Sequence, residues 1–166
     1  KNIRNLFFSR AIGGYKLIVY HMIAGDAYNR NFEAAAHRIL KYIDFSQKFA
    51  KGKNSMLQGV IDMTDLISSK AFDQNDFNKL EKVYLRINQL SDDIYINHIW
   101  LAKSLSDNDI EKSKKHILKA LRLSKASEPA YREILRLFPK IEDNSLFFQN
   151  YCQDYFNTIS GGTLKK

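Results

Sequence analysis

Ile67-Ser68-Ser69-Lys70-Ala71-Phe72, then Asp76-Phe77, then Leu80-x-x-x-Tyr84-x-x-Ile87, decide the fold, because the pattern returns about 33 residues later. The second copy reads Leu101-Ala102-Lys103-Ser104-Leu105, Asp109-Ile110 and Ser113-x-x-x-Ile117-x-x-Ala120. Apolar residues at helical spacing, repeating at this period, signal helical hairpins laid against one another in series. Such scaffolds present surfaces to partners and seldom carry chemistry of their own.

Outward from the repeat, boundary signals cut the rest of the chain into helices. Asp76 is placed to open a helix bearing Phe77, Leu80, Val83, Tyr84, Ile87 and Leu90, and Ser91-Asp92-Asp93 a helix from Ile94 to Leu105. Asp107-Asn108-Asp109 opens Ile110 to Leu123, and Glu128-Pro129 starts another helix, with proline where its missing N–H costs nothing. Pro139 ends that helix, and Asp143-Asn144-Ser145 caps a last one rich in Phe147, Phe148, Tyr151, Tyr155 and Phe156. Towards the N-terminus, Met56, Leu57, Val60, Met63 and Ile67 form one inward stripe, capped by Asn54 or Ser55. Phe32, Ala35, Ala36, Ile39, Leu40 and Ile43 form another, capped by Asn31 and closed near Gly52. Gly13-Gly14 is expected to separate a first helix, from Asn2 to Ile12, from a second at about 15–28. No strand pattern occurs.

These residues resemble the tetratricopeptide repeat, a helix–turn–helix family of 34-residue units. Ser68 and Ala102 look like the family's small residue in the first helix. Ala35, Leu80 and Ser113 stand at the second small position, followed by Ile39, Tyr84 and Ile117. Asn108-Asp109-Ile110-Glu111 resembles the family's turn, and Ala120-Leu121-Arg122-Leu123 with Ala130-Tyr131 its repeat junction. Leu80 replaces a small residue and Lys125 replaces the helix-ending proline. The resemblance implies an all-α, right-handed α-solenoid of about eight or nine helices, forming one domain over 1–166. Within it, 1–54 reads as degenerate hairpins, 55–127 as the two clearer repeats (61–94 and 95–127), 128–158 as a degenerate repeat and 159–166 as a tail. The whole reads as part of a longer polypeptide.

In that family the first helix of each repeat lines a concave groove, so the resemblance places a peptide or partner helix against helices 55–72 and 94–105. Thr64, Lys70, Asn97, Trp100, Lys103 and Ser104 are the contact residues this implies. Trp100 has a competing reading as an inter-helix packing residue, because tryptophan buries well. The expected function is a non-catalytic protein–protein interaction or assembly module. Its partner is a protein or peptide, or another domain of the same polypeptide.

Charge suggests an alternative. The net charge is +8, with basic blocks at 1–53 (ten Lys/Arg, three acids) and 110–140 (nine against three) around an acidic middle. Lys112, Lys114, Lys115, Lys119 and Arg122 make a basic helix face suited to an acidic polymer or anionic surface. On this reading the chain is an accessory domain that positions such a substrate for a larger enzyme. No aromatic residues interleave with these lysines, which argues against specific nucleic-acid binding.

Catalytic and metal constellations are missing from the sequence. Glu33 and His37 lie one helical turn apart, but no second pair stands at ligand spacing. Asp73-Gln74-Asn75-Asp76 and Asp107-Asn108-Asp109 lack the central glycine and closing glutamate of a calcium loop and read as caps. The expectation is no enzyme, no metal and no cofactor within the chain. The lone Cys152 fits a reducing compartment, here the cytoplasm, and the longest apolar run, Leu17 to Ala24, is far too short to span a bilayer.

Overall fold

The computed structural model describes residues 2–49, 53–73, 75–125 and 127–138. All regular structure among them is helical: α1 (Asn2–Tyr28), α2 (Phe32–Phe49), α3 (Lys53–Asp73), a 3₁₀ turn (Phe77–Leu80), α4 (Glu81–Leu90), α5 (Tyr95–Leu105), α6 (Ile110–Ser124) and α7 (Glu128–Leu137). Seven α-helices thus stand among the described residues, where eight or nine were expected over the whole chain. The aromatic-rich helix expected after Asp143 lies outside them.

One expected boundary is absent. Gly13-Gly14 does not break the first helix, and α1 runs through it without interruption. Glycine inside a helix costs about 1 kcal/mol relative to alanine. Burial of Val19, Ile23 and Ala27 outweighs that cost. The helix stops instead at Arg30, whose φ of 60° is the left-handed closing conformation. There the Asn31 N–H reaches back to the Asp26 carbonyl at 2.8 Å. Asn75 ends α3 in the same way, at φ 59°, with the Asp76 N–H on the Ala71 carbonyl at 2.9 Å. Lys125, standing where the repeat family has proline, ends α6 with φ 54°.

Capping is mixed. The Asn31 side chain accepts from the Ala34 N–H at 3.2 Å, and Asp109 from the Lys112 N–H at 3.0 Å, both as expected from sequence. Asp76 makes no side-chain cap, so the chain enters α4 through the 3₁₀ turn. Its carboxylate pairs with Lys79 at 2.9 Å instead.

The chain divides into two compact units, Lys1–Asp92 and Asp93–Lys166. In the first, α1, α2 and α3 pack on one another and α4 packs on α2 and α3. The core is formed by Ile23, Phe32, Ile39, Ile43, Val60, Met63, Ile67, Leu80, Val83 and Ile87. Tyr15 of α1 lies against Tyr42 and Phe45 of α2, with ring centroids 6.0 and 4.5 Å away. At the rim Arg38 pairs with Asp26, Lys16 with Asp62 at 3.4 Å, and Arg86 with Asp44 at 3.2 Å. In the second unit α5, α6 and α7 pack together. Ile99, Leu101, Ala102, Ile117, Ala120, Leu121, Ala130, Ile134 and Leu137 are its buried residues.

Candidate interaction surfaces

Within each unit two helices meet at small residues, Ser68 in the first and Ala102 with Ser113 in the second. In α3 the Ser68 hydroxyl donates to the Thr64 carbonyl at 2.6 Å. Its one proton is then committed, so the Tyr84 hydroxyl of α4, 2.9 Å away, donates to Ser68 Oγ. In α6 the Ser113 hydroxyl donates to the Ala102 carbonyl of α5 at 2.7 Å. A larger residue at Ala102 or Ser113 would hold the two backbones apart.

That close packing removes most of the expected groove residues from the surface. Thr64, Asn97, Trp100 and Ser104 are all buried. The Thr64 and Ser104 hydroxyls are spent on carbonyls of their own helices, those of Val60 at 2.7 Å and Leu101 at 2.9 Å. Trp100 is 0% exposed, which matches its packing reading. Nearly every side of α5 is covered, because Asn97 to Ala102 are buried without a gap. Lys70 is exposed. Lys103 is half-buried, its ammonium 5.5 Å from the centroid of the Phe138 ring, a cation–π contact.

The basic face of α6 is partly neutralised from within. Lys112 pairs with Asp109 at 2.8 Å and Lys114 with Glu111 at 3.1 Å. The Lys112 hydrogen bonds, from side chain and then backbone, hold the Asp109 carboxyl below its ordinary range. Lys115 and Arg122 are exposed and Lys119 is half-buried.

One juxtaposition went unread in the sequence. His98 of α5 and His116 of α6 bring their Nδ1 atoms to 2.9 Å, with ring centroids 5.1 Å apart and planes inclined at 24°. The centroids exceed the nitrogens in separation by about two ring radii, so the nitrogens point at one another. One ring therefore donates an N–H and the other accepts. The signal was present: opposing Ala102 to Ser113 in a helical hairpin fixes a register that brings 98 beside 116. Lone pairs aimed head-on do not converge on a metal ion. Among the described residues no group of three or more His, Cys, Asp or Glu is placed to hold one. Glu33 and His37 are both exposed on α2.

A hollow of about 400 Å³ beside Pro129, Arg132, Glu133 and Arg136 lies along α7. Arg136 there is held by Glu133 through two bonds of 2.7 and 2.9 Å. Groups from a single helix turned on one another do not make a convergent catalytic site.

The outer face of α1 is also unforeseen. Leu17 and Ile18 are each 59% exposed, Met22 43% and Tyr28 87%. Gly14, His21 and Gly25 are exposed between them. No helix among the described residues is long and apolar enough to cross a membrane. Comparison with protein-family models, with curated proteins and with solved structures finds no match to this chain.

Proposed function

We propose that the chain is a non-catalytic protein–protein interaction module whose hairpins form a tetratricopeptide-like α-solenoid. The observation that carries this reading is that Ser68 and Ala102, the small residues of the two first helices, each meet the following helix, through Tyr84 and Ser113 respectively. Both fall at positions where the repeat family holds its helices together. Hydroxyls at these points are spent on packing, which is the economy of a scaffold. The partner is a protein or peptide engaged through the polar surface that remains on either unit, where Lys70 of the first and Lys103 of the second are separate contacts of choice. Charges at an interface rim steer and select an acidic partner more than they hold it. The rival reading, an anionic polymer on α6, is weakened by the Asp109 and Glu111 ion pairs that already occupy two of its lysines.

Capture of partners on the immobilised chain separates the two. A protein bound as proposed stays bound in about 0.5 M salt and is lost in Lys70→Glu or in Lys103→Glu, whereas a counterion-driven contact weakens by orders of magnitude in that salt. Loss in Lys115→Glu/Arg122→Glu alone, together with release by salt, would transfer the activity to the basic helix.

A further inference from the structure

His98 and His116 set two titratable rings face to face across the α5–α6 hairpin of the second unit. His98 is 1% exposed and His116 is half-buried. Their Nδ1 atoms, 2.9 Å apart and pointed at one another, hold one proton between them. Histidine is the side chain whose charge ordinarily changes between about pH 5 and 8. A contact made of two of them therefore depends on how many protons the pair carries.

The four ring nitrogens carry two protons when both rings are neutral and four when both are imidazolium. The bond between them needs one Nδ1 without a proton, so the closed pair holds three at most. Hydrogen bonds at the Nε2 atoms leave this limit unchanged, because it is set at Nδ1 alone. A fourth proton turns two N–H groups head to head and sets two positive charges together, one of them on a buried ring. We propose that the His98–His116 pair is an acid-sensitive latch on the α5–α6 hairpin. It holds while the two Nδ1 atoms share a proton and lets go when each has its own.

The surroundings oppose the last proton. On α6, Lys112 and Lys119 stand one helical turn before and after His116, with Lys115 beside it. On α5 the Tyr95 phenol lies one turn before His98, and the Lys103 ammonium lies past Ala102. Helix α7 packs on both and brings Arg132, Glu133 and Arg136. The described carboxylates of α6 and α7 are each engaged by a cation of their own helix: Asp109 by Lys112, Glu111 by Lys114 and Glu133 by Arg136. A doubly charged pair gains little from them.

The latch shares its interface with the contact that closes the hairpin. The Ser113 hydroxyl and the Ala102 carbonyl, 2.7 Å apart, lie one turn along the same two helices. Parting the rings therefore loads that contact as well. The sign of the effect follows from the proton count. Below the ordinary imidazole value, about pH 6.5, the open chain binds both protons on these residues and the closed hairpin binds at least one fewer. Stability rises with pH wherever the open state binds more protons. The latch thus holds above about pH 6.5, and each proton excluded costs the closed hairpin about tenfold in its equilibrium per pH unit below that. It belongs to the second unit alone and does not depend on the partner surfaces proposed at Lys70 and Lys103.

Amide hydrogen exchange of the full chain, followed by magnetic resonance between about pH 7.5 and 5, reads the closing equilibrium at α5 and α6. Once the intrinsic effect of pH on exchange is divided out, protection there should fall about tenfold or more per pH unit below about pH 6. His116→Asn keeps an amide opposite His98 that accepts from a protonated ring and takes up no proton itself. Its protection should fall less steeply over the same range, because every other titrating group is common to the two chains. The nitrogen shifts of the two rings in the parent count the protons without any substitution. One Nδ1 of the pair should stay bare for as long as the hairpin amides stay protected. Parallel pH courses for the parent and His116→Asn overturn the proposal. Protonation of both Nδ1 atoms in a hairpin that remains protected overturns it too.

Discussion

Asp109 shows how one side chain ties a sequence signal to an energy. Its carboxylate accepts from the Lys112 N–H and pairs with the Lys112 ammonium, and both hold its acidity below the ordinary carboxylate range. A group depressed in the folded chain lends stability that is complete above the unfolded value, about pH 4. That stability is lost as pH falls through the folded value. Asp109→Asn keeps an oxygen for the Lys112 N–H and removes the charge. Thermal midpoints measured between about pH 2 and 6 should fall less steeply in acid for Asp109→Asn than for the parent. At this scale the Asn31 and Asp109 caps were legible, whereas Asp76 pairs with Lys79 instead and the helix expected to open at Ser91-Asp92-Asp93 has Ile94 as its N-cap, with no side-chain bond. Trp100 and Asn97 were harder. Tyr95–Leu105 offers apolar residues on every side, and that pattern means burial all round before it means a groove.

At the scale of the element, α1 is where sequence reading failed most. Gly13-Gly14 carries a propensity penalty, and a penalty was read as a break. The helix persists because its next turns set the half-buried Tyr15 on Tyr42 and bury Val19 and Ile23, and such tertiary gains exceed propensity. A Cβ added at Gly13 meets nothing within 4 Å. Gly13→Ala should therefore stabilise the chain by about 0.5–1 kcal/mol, seen as a rise of a few degrees in the thermal midpoint by dichroism. Hairpins α3–α4 and α5–α6 were legible because a small residue recurring at a fixed interval has a steric reason. Of their internal contacts, Ser113 on Ala102 joins two such small residues, whereas Tyr84 on Ser68 joins one to the ring four residues after Leu80.

For the whole molecule, the boundary between the two units, at Asp92 and Asp93, falls in the polar run Ser91-Asp92-Asp93 that was expected to open a helix. All-helical architecture was readable for the described residues, because their helix interiors are apolar at helical spacing and their junctions polar. The pairing of His98 with His116 and the bare face of α1 were not read. The first depends on register across a hairpin, and the second on knowing which of two apolar sides the neighbours cover. The division also gives the chain an internal reporter. Its single tryptophan, Trp100, belongs to the second unit and is wholly enclosed. Indole emission should be blue-shifted in the native chain and move to the red only when that half opens. Ellipticity follows the helices of both halves. Recording the two signals through one denaturant titration shows whether the transitions coincide, the established criterion for a single cooperative step. Nature has thus labelled one half of this protein for the spectroscopist and left the other dark.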